Sequence, residues 1–143
     1  MKLDDYKNDF ATGYDTFIAK YNIEPRQIEK DLRYEKIADV TRIERLDNEF
    51  FFFKDDKLIV IYISNESLTT KVWAEFSNTS FAITPEKTVR SRAGKKSNQV
   101  IFASEEIAAS ITKDEVDFIE IFRPCTVEEY ITNIYNEVPA FIR

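Results

Sequence analysis

The amino-acid sequence predicts an α+β fold: an antiparallel β-meander flanked by two N-terminal helices and one C-terminal helix. Three observations lead there. Aromatic residues recur at helical spacing near the N-terminus, short apolar runs separated by polar turns fill the middle, and a helix-opening motif stands near the C-terminus. Helices before and after an antiparallel sheet are the mark of an α+β arrangement. At 143 residues, with 43% apolar and 14% aromatic side chains, the chain reads as one domain over 1–143 with material for a full core.

The first helix is read from Tyr6, Phe10, Tyr14, Phe17 and Tyr21, spaced by three or four residues. Gly13 lies inside this pattern and costs about 1 kcal/mol relative to alanine, so packing must hold the helix. Pro25 suits the first position of a second helix, where its missing N–H loses nothing. Ile28 and Leu32 would form that helix's apolar edge, with Glu29 and Arg33 as an i,i+4 pair.

From about Val40 the pattern changes to strands. Ile43–Leu46, Glu49–Phe53 and Lys57–Ser64, separated by Asp47-Asn48 and Lys54-Asp55-Asp56, read as two successive hairpins. Leu58–Ile63 is apolar at every position, which marks a central strand covered on both faces. In the run Phe50–Phe53, alternate rings point to opposite faces, so two enter the core and two need cover from elsewhere or form a partner groove. Lys71–Phe76, Phe81–Thr84 and Gln99–Ala103 are read as further strands, and so is Val116–Phe122, ended by Arg123-Pro124. Thr126-Val127-Glu128-Glu129 is a capping box opening a helix with Val127, Ile131, Ile134 and Val138 on one face. The tail Pro139–Arg143 either docks on the core or anchors a second copy.

Composition then removes classes of function. Histidine is absent and Cys125 is the single cysteine, which leaves no Ser-His or Cys-His nucleophile, no thiolate cluster and no disulfide. Gly13 and Gly94 are the two glycines, too few and too far apart for a phosphate-cradling loop. No calcium-loop pattern occurs, so no metal and no cofactor is expected. Cys125 precedes a helix, but with no base at hand it reads as a packing residue. Asp117 and Glu120 stand as in the start of a metal-dependent nuclease signature, yet Phe122 occupies the position of the needed lysine. A carboxylate-pair hydrolase is the one enzyme route left, and the expectation is a non-enzymatic binding protein. The N-terminal residues lack the apolar stretch of a secretory signal and no run is long enough to span a membrane, so the chain reads as cytoplasmic.

Charge suggests where binding occurs. The net charge of −6 is uneven, because residues 87–104 hold Lys87, Arg90, Arg92, Lys95 and Lys96 with no acidic residue. This stretch reads either as a solvated hairpin turning at 93–96 or as an anion-binding loop for phosphate or nucleic acid. An overall acidic balance, with pI near 4.8, speaks against nucleic acid. Glu129, Asn133 and Glu137 follow one another at i,i+4 opposite the apolar stripe, flanked by Glu128. Asp114, Glu115, Asp117 and Glu120 lie just upstream, and together these eight residues make a candidate surface for a basic protein partner. The ordinary reading of the same helix face is solvation. Trp73 and the seven tyrosines suit an interface as well, although the N-terminal tyrosines already serve the helix stripe.

In general character the chain resembles the small immunity proteins of bacterial contact-dependent and polymorphic toxin systems. The resemblance covers the whole chain and rests on its acidic, histidine-free, glycine-poor make-up and on Glu128, Glu129 and Glu137. It implies a cytosolic inhibitor that binds a basic toxin domain, often a nuclease, and blocks its active site or substrate groove.

Overall fold

In a computed structural model, residues 1–136 are described; Glu137, Val138 and the tail 139–143 lie outside the described residues. Strands β1 (Ile28–Tyr34), β2 (Ile37–Glu44), β3 (Glu49–Lys54) and β4 (Lys57–Ile63) form one meander. Strands β5 (Lys87–Arg90), β6 (Asn98–Phe102), β7 (Ile107–Thr112) and β8 (Glu115–Phe122) form a second. The two meanders join along a β4–β8 seam into one eight-stranded antiparallel sheet of order β1-β2-β3-β4-β8-β7-β6-β5. Helices α1 (Leu3–Asn8), α2 (Tyr14–Tyr21), α3 (Glu66–Ser77) and α4 (Val127–Asn133) complete a mixed α+β fold.

Strand alternation sorts the apolar residues between two faces. Ile43, Phe51, Ile61, Ile121 and Ile107 lie opposite one another across β2, β3, β4, β8 and β7 and point to one face. Over them pack Leu3 and Tyr6 of α1, Phe17 of α2, and Val72 and Phe76 of α3, making the larger core. The neighbouring register row, Phe50, Tyr62, Glu120 and Ala108, faces the other way. There α4 places Tyr130 beside Phe122, Ala108 and Ile101, while Tyr34 packs with Val40, Phe52 and Val60.

The sheet is strongly curled. Tyr34 on β1 hydrogen-bonds Glu120 on β8, four strand steps away, a span of roughly 19 Å in a flat sheet. A twist of roughly 20–25° per step accumulates over the sheet and turns one edge strand far around relative to the other. The turn after β1 thereby meets the turn after β5, where Arg92 Nε pairs with Glu35 Oε1 at 3.2 Å. Lys36 donates to the α4 carbonyls of Ile131 (2.8 Å) and Thr132 (3.3 Å), which ties the β1–β2 turn to that helix. Edge strand β1 is broken by two register shifts and by Asp31 at φ 58°.

Several predicted elements take this form. Two successive hairpins turn at 47–48 and 55–56 as expected, although the strand expected at Ile43–Leu46 runs over Ile37–Glu44. Strand β4 lies inside the sheet with Leu58, Val60, Ile61 and Ile63 fully buried. Phe51 and Phe53 enter the helical core; Phe52 is covered by Tyr34 at a ring distance of 4.7 Å and Phe50 is half-buried beside Tyr62. The Thr126–Glu129 capping box opens α4, with Val127, Ile131 and Ile134 against the core.

Other elements differ. The N-terminal stripe is not one helix, because Gly13 is extended (φ −75°, ψ 169°) and separates α1 from α2. A Cβ at Gly13 would stand 3.1 Å from Asp56 Oδ2, so the missing side chain admits the β3–β4 turn. The helix expected after Pro25 is a single 3-10 turn followed by β1. Gln27 ends that turn by donating to the Glu44 carbonyl at 3.1 Å, which lays the chain along β2, and Glu29 pairs across strands with Arg42 at 2.6 Å instead of with Arg33. Lys71–Phe76, expected as a strand, belongs to α3, and Phe81–Thr84 contains a 3-10 turn; β7 carried no expectation.

Candidate functional site

The predicted acidic surface divides when it is placed on the fold. Asp114 and Glu115 are exposed at the turn between β7 and β8, whereas Glu128, Glu129 and Asn133 are exposed on α4, which follows the far end of β8. The length of β8 separates the groups by roughly 23 Å at the usual rise per residue. Glu129 is spent locally, as its carboxylate accepts from Thr126 N at 3.0 Å. Asp117 accepts from Ser110 Oγ (2.8 Å) and Thr112 Oγ1 (2.7 Å) and holds β7 to β8. Glu120 is fully buried and contributes nothing to the exposed acidic surface; its place in the register row beside Tyr62 turns it inward. Glu137 lies outside the described residues.

Asp114 and Glu115 gain different neighbours. The β2–β3 turn, the start of α3 and the β7–β8 turn all stand at the same end of the sheet, because β4 and β8 run antiparallel there. Two adjoining clefts of about 590 and 620 Å³ share Ser64, Glu66 and Thr70. Asp47 and Asn48 wall one side, and Asp114, Glu115 and Trp73 wall the other. Asp47, Glu66, Asp114 and Glu115 are all exposed, and among the described residues no lysine or arginine lines either cleft. Asn65 fixes the base of this groove, accepting from Leu68 N (3.2 Å) as the α3 N-cap and donating to the Asp47 carbonyl (2.8 Å). Sequence reasoning missed Asp47 and Glu66 because their convergence depends on α3 being a helix.

The basic stretch does not converge. Lys87, Lys95 and Lys96 are exposed, and Arg90 is half-buried with its Nε unpaired and its carbonyl accepting from Tyr135 at 2.7 Å. The hairpin turn is present between β5 and β6, pinned by Ser91 Oγ to Ser110 Oγ (2.6 Å) and Ser97 Oγ to Thr112 Oγ1 (2.5 Å). Arg92 departs from the expectation of an anion contact. Its guanidinium points at the Phe118, Tyr62 and Tyr34 rings and pairs with Glu35.

Around Arg92 lies a buried polar network. Glu120 Oε2 accepts from the Tyr34 hydroxyl, and Oε1 accepts from the Tyr130 hydroxyl and from Gln99 Nε2. Burial raises the Glu120 pKa, opposed by the Arg92 charge and the two tyrosine bonds. Burial, reinforced by Glu120, raises the Tyr34 and Tyr130 pKa values well above the ordinary phenol range. Near Glu128, the Cys125 thiol is pushed up to about 11 by burial and by Glu129 and Glu86, which suits packing rather than nucleophilic attack.

Among the described residues no group of three or more side chains could hold a metal ion, and no helix is long and apolar enough to cross a membrane. No family model, curated protein or solved structure matches this chain.

Proposed function

We propose that the chain is a non-enzymatic binding protein that neutralises a basic protein by direct contact, in the manner of a cytoplasmic immunity-type inhibitor. The observation that carries this reading is the groove along α3. Four exposed carboxylates from three parts of the fold line it, Trp73 supplies an aromatic wall, and among the described residues no lysine or arginine is part of the lining. A cleft of one sign concentrates field lines and steers an oppositely charged partner, raising association rates by roughly 10–10³-fold. The resemblance to immunity proteins favours a toxin domain, nuclease included, as that partner. Glu128 and Asn133 on α4 form a separate exposed polar face, with Glu128 its charge, that is free to add to such an interface.

The test compares the chain with a variant carrying Asp47→Lys, Glu66→Lys, Asp114→Lys and Glu115→Lys as bait in the native host. The wild-type chain is expected to retain a basic protein in a one-to-one complex whose association slows as salt rises, and the variant to lose it. Retention of the same protein with equal affinity by both chains would refute the groove as the contact surface. A screen of the purified chain against hydrolase substrates addresses the non-enzymatic part, where turnover above background would overturn it.

A further inference from the structure

The position of the Arg92 guanidinium is one that a ligand cation would take. Its central carbon is 4.5 Å from the Phe118 ring centroid, 5.5 Å from Tyr62 and 5.9 Å from Tyr34, all within the range of cation–π attraction. Glu35 lies at 3.2 Å. Burial alone would disfavour a charge here; Tyr34, Glu120 and Glu35 outweigh it and raise the Arg92 pKa further above its already high value. The cage walls come from β1, β4 and β8, whereas Arg92 comes from the turn after β5.

Tyr34, one wall of the cage, is held from outside the Arg92 turn. Glu120 is hydrogen-bonded by Tyr34, Tyr130 and Gln99, none of which belongs to that turn. Gln99 is fully buried beside the network, yet its Oε1 has no partner, which leaves an unused acceptor there. The Arg92 side chain keeps 28% exposure, so this position is reached from outside. Ser91 and Ser97 pin the two ends of the turn, and between them residues 93–96 are exposed, with Ala93 N bonded back to Ser91 Oγ.

We infer that the Tyr34–Tyr62–Phe118 cage with Glu35 and Glu120 is a guanidinium-binding site occupied in cis by Arg92, and that it accepts an arginine side chain of a protein partner when the 92–96 segment lifts. Aromatic faces with carboxylates select a flat, weakly hydrated, delocalised cation over a compact ammonium. The site is separate from the α3 groove, so it stands or falls independently of that surface.

Purified Arg92→Ala chain, titrated with methylguanidinium and with methylammonium at non-denaturing concentrations, gives the first test. Its melting temperature should lie below wild type and rise saturably with methylguanidinium, with a preference of roughly tenfold over methylammonium. No saturable rise, or an equal response to both ions, overturns the site. If Arg92→Ala does not fold, Arg92→Lys replaces it, and methylguanidinium should perturb its cage resonances at lower concentration than in wild type. Absence of such a difference counts against the proposal. The second test follows the Arg92 side-chain Nε resonance of the wild-type chain during titration with an arginine-bearing peptide. A saturable shift toward the solvent-exposed value, absent with the lysine analogue, is expected. An unmoved resonance would make Arg92 a permanent clasp and refute exchange.

Discussion

A carboxylate without solvent contact is tolerable where its hydrogen bonds are already in place, and Glu120 meets that condition through Tyr34, Tyr130 and Gln99. Glu120→Ala strands two hydroxyls and an amide in the interior and should cost roughly 3 kcal/mol or more in denaturant unfolding. Glu120→Gln keeps the shape and removes the titration. Because folding raises the Glu120 pKa, the native state binds more protons between the unfolded value of 4.5 and the raised native value. The resulting stability is fully present below the unfolded value and is lost as pH rises through the native one. Wild type should therefore gain on Glu120→Gln as pH falls from 7 towards 4, and a difference that does not change with pH would contradict the direction of the shift. Cys125 offers a simpler check. With its thiol near 11, reaction with a disulfide reagent at neutral pH should be roughly tenfold slower than for an unperturbed thiol, the roughly hundredfold loss of thiolate being partly offset by the greater nucleophilicity of a more basic thiolate.

Helix α3 shows where reading by element succeeds and where it fails. Thr69, Thr70, Val72 and Trp73 favour strands by local preference, which obscures the helical spacing of Leu68, Val72 and Phe76 and the Asn65 cap ahead of them. Both helical signals are in the sequence; the cap followed by i,i+4 apolar residues would have found the helix. Asn65→Ala should lower stability by about 1 kcal/mol and open the groove wall by freeing the Asp47 carbonyl, measurable by denaturant unfolding and by amide exchange at residues 66–69. The β1 reading failed for a different reason. Ile28 and Leu32 fit one face of a helix, and they also fit a strand of period two, so spacing alone does not discriminate. The long-range bond of Gln27 to Glu44 decides it, and no local pattern contains that information.

Across the whole molecule, the strands at 49–53 and 57–63, the turns beside them and the terminal capping box were legible because each is written in contiguous residues. The strand expected at 43–46 runs instead over Ile37–Glu44. The acidic groove was half legible. Asp114 and Glu115 were identified by charge, but their joining with Asp47 and Glu66 depends on which ends of distant strands coincide. Glu120 was placed on the surface by charge, while its register between Tyr62 and Ala108 buries it. The seam that sets this register has a kinetic consequence. Each meander is built from neighbouring hairpins and closes only short loops, whereas pairing Ile63 with Ile119 must wait until residues 64–118 have been brought into place. The two meanders are thus expected to form before β4 meets β8, and the Arg92–Glu35 contact between the sheet edges can form only after that. Pulse-labelling during refolding should protect amides within each meander first and those of the seam last, giving the chain a late, topology-limited step in which two finished halves must meet edge to edge.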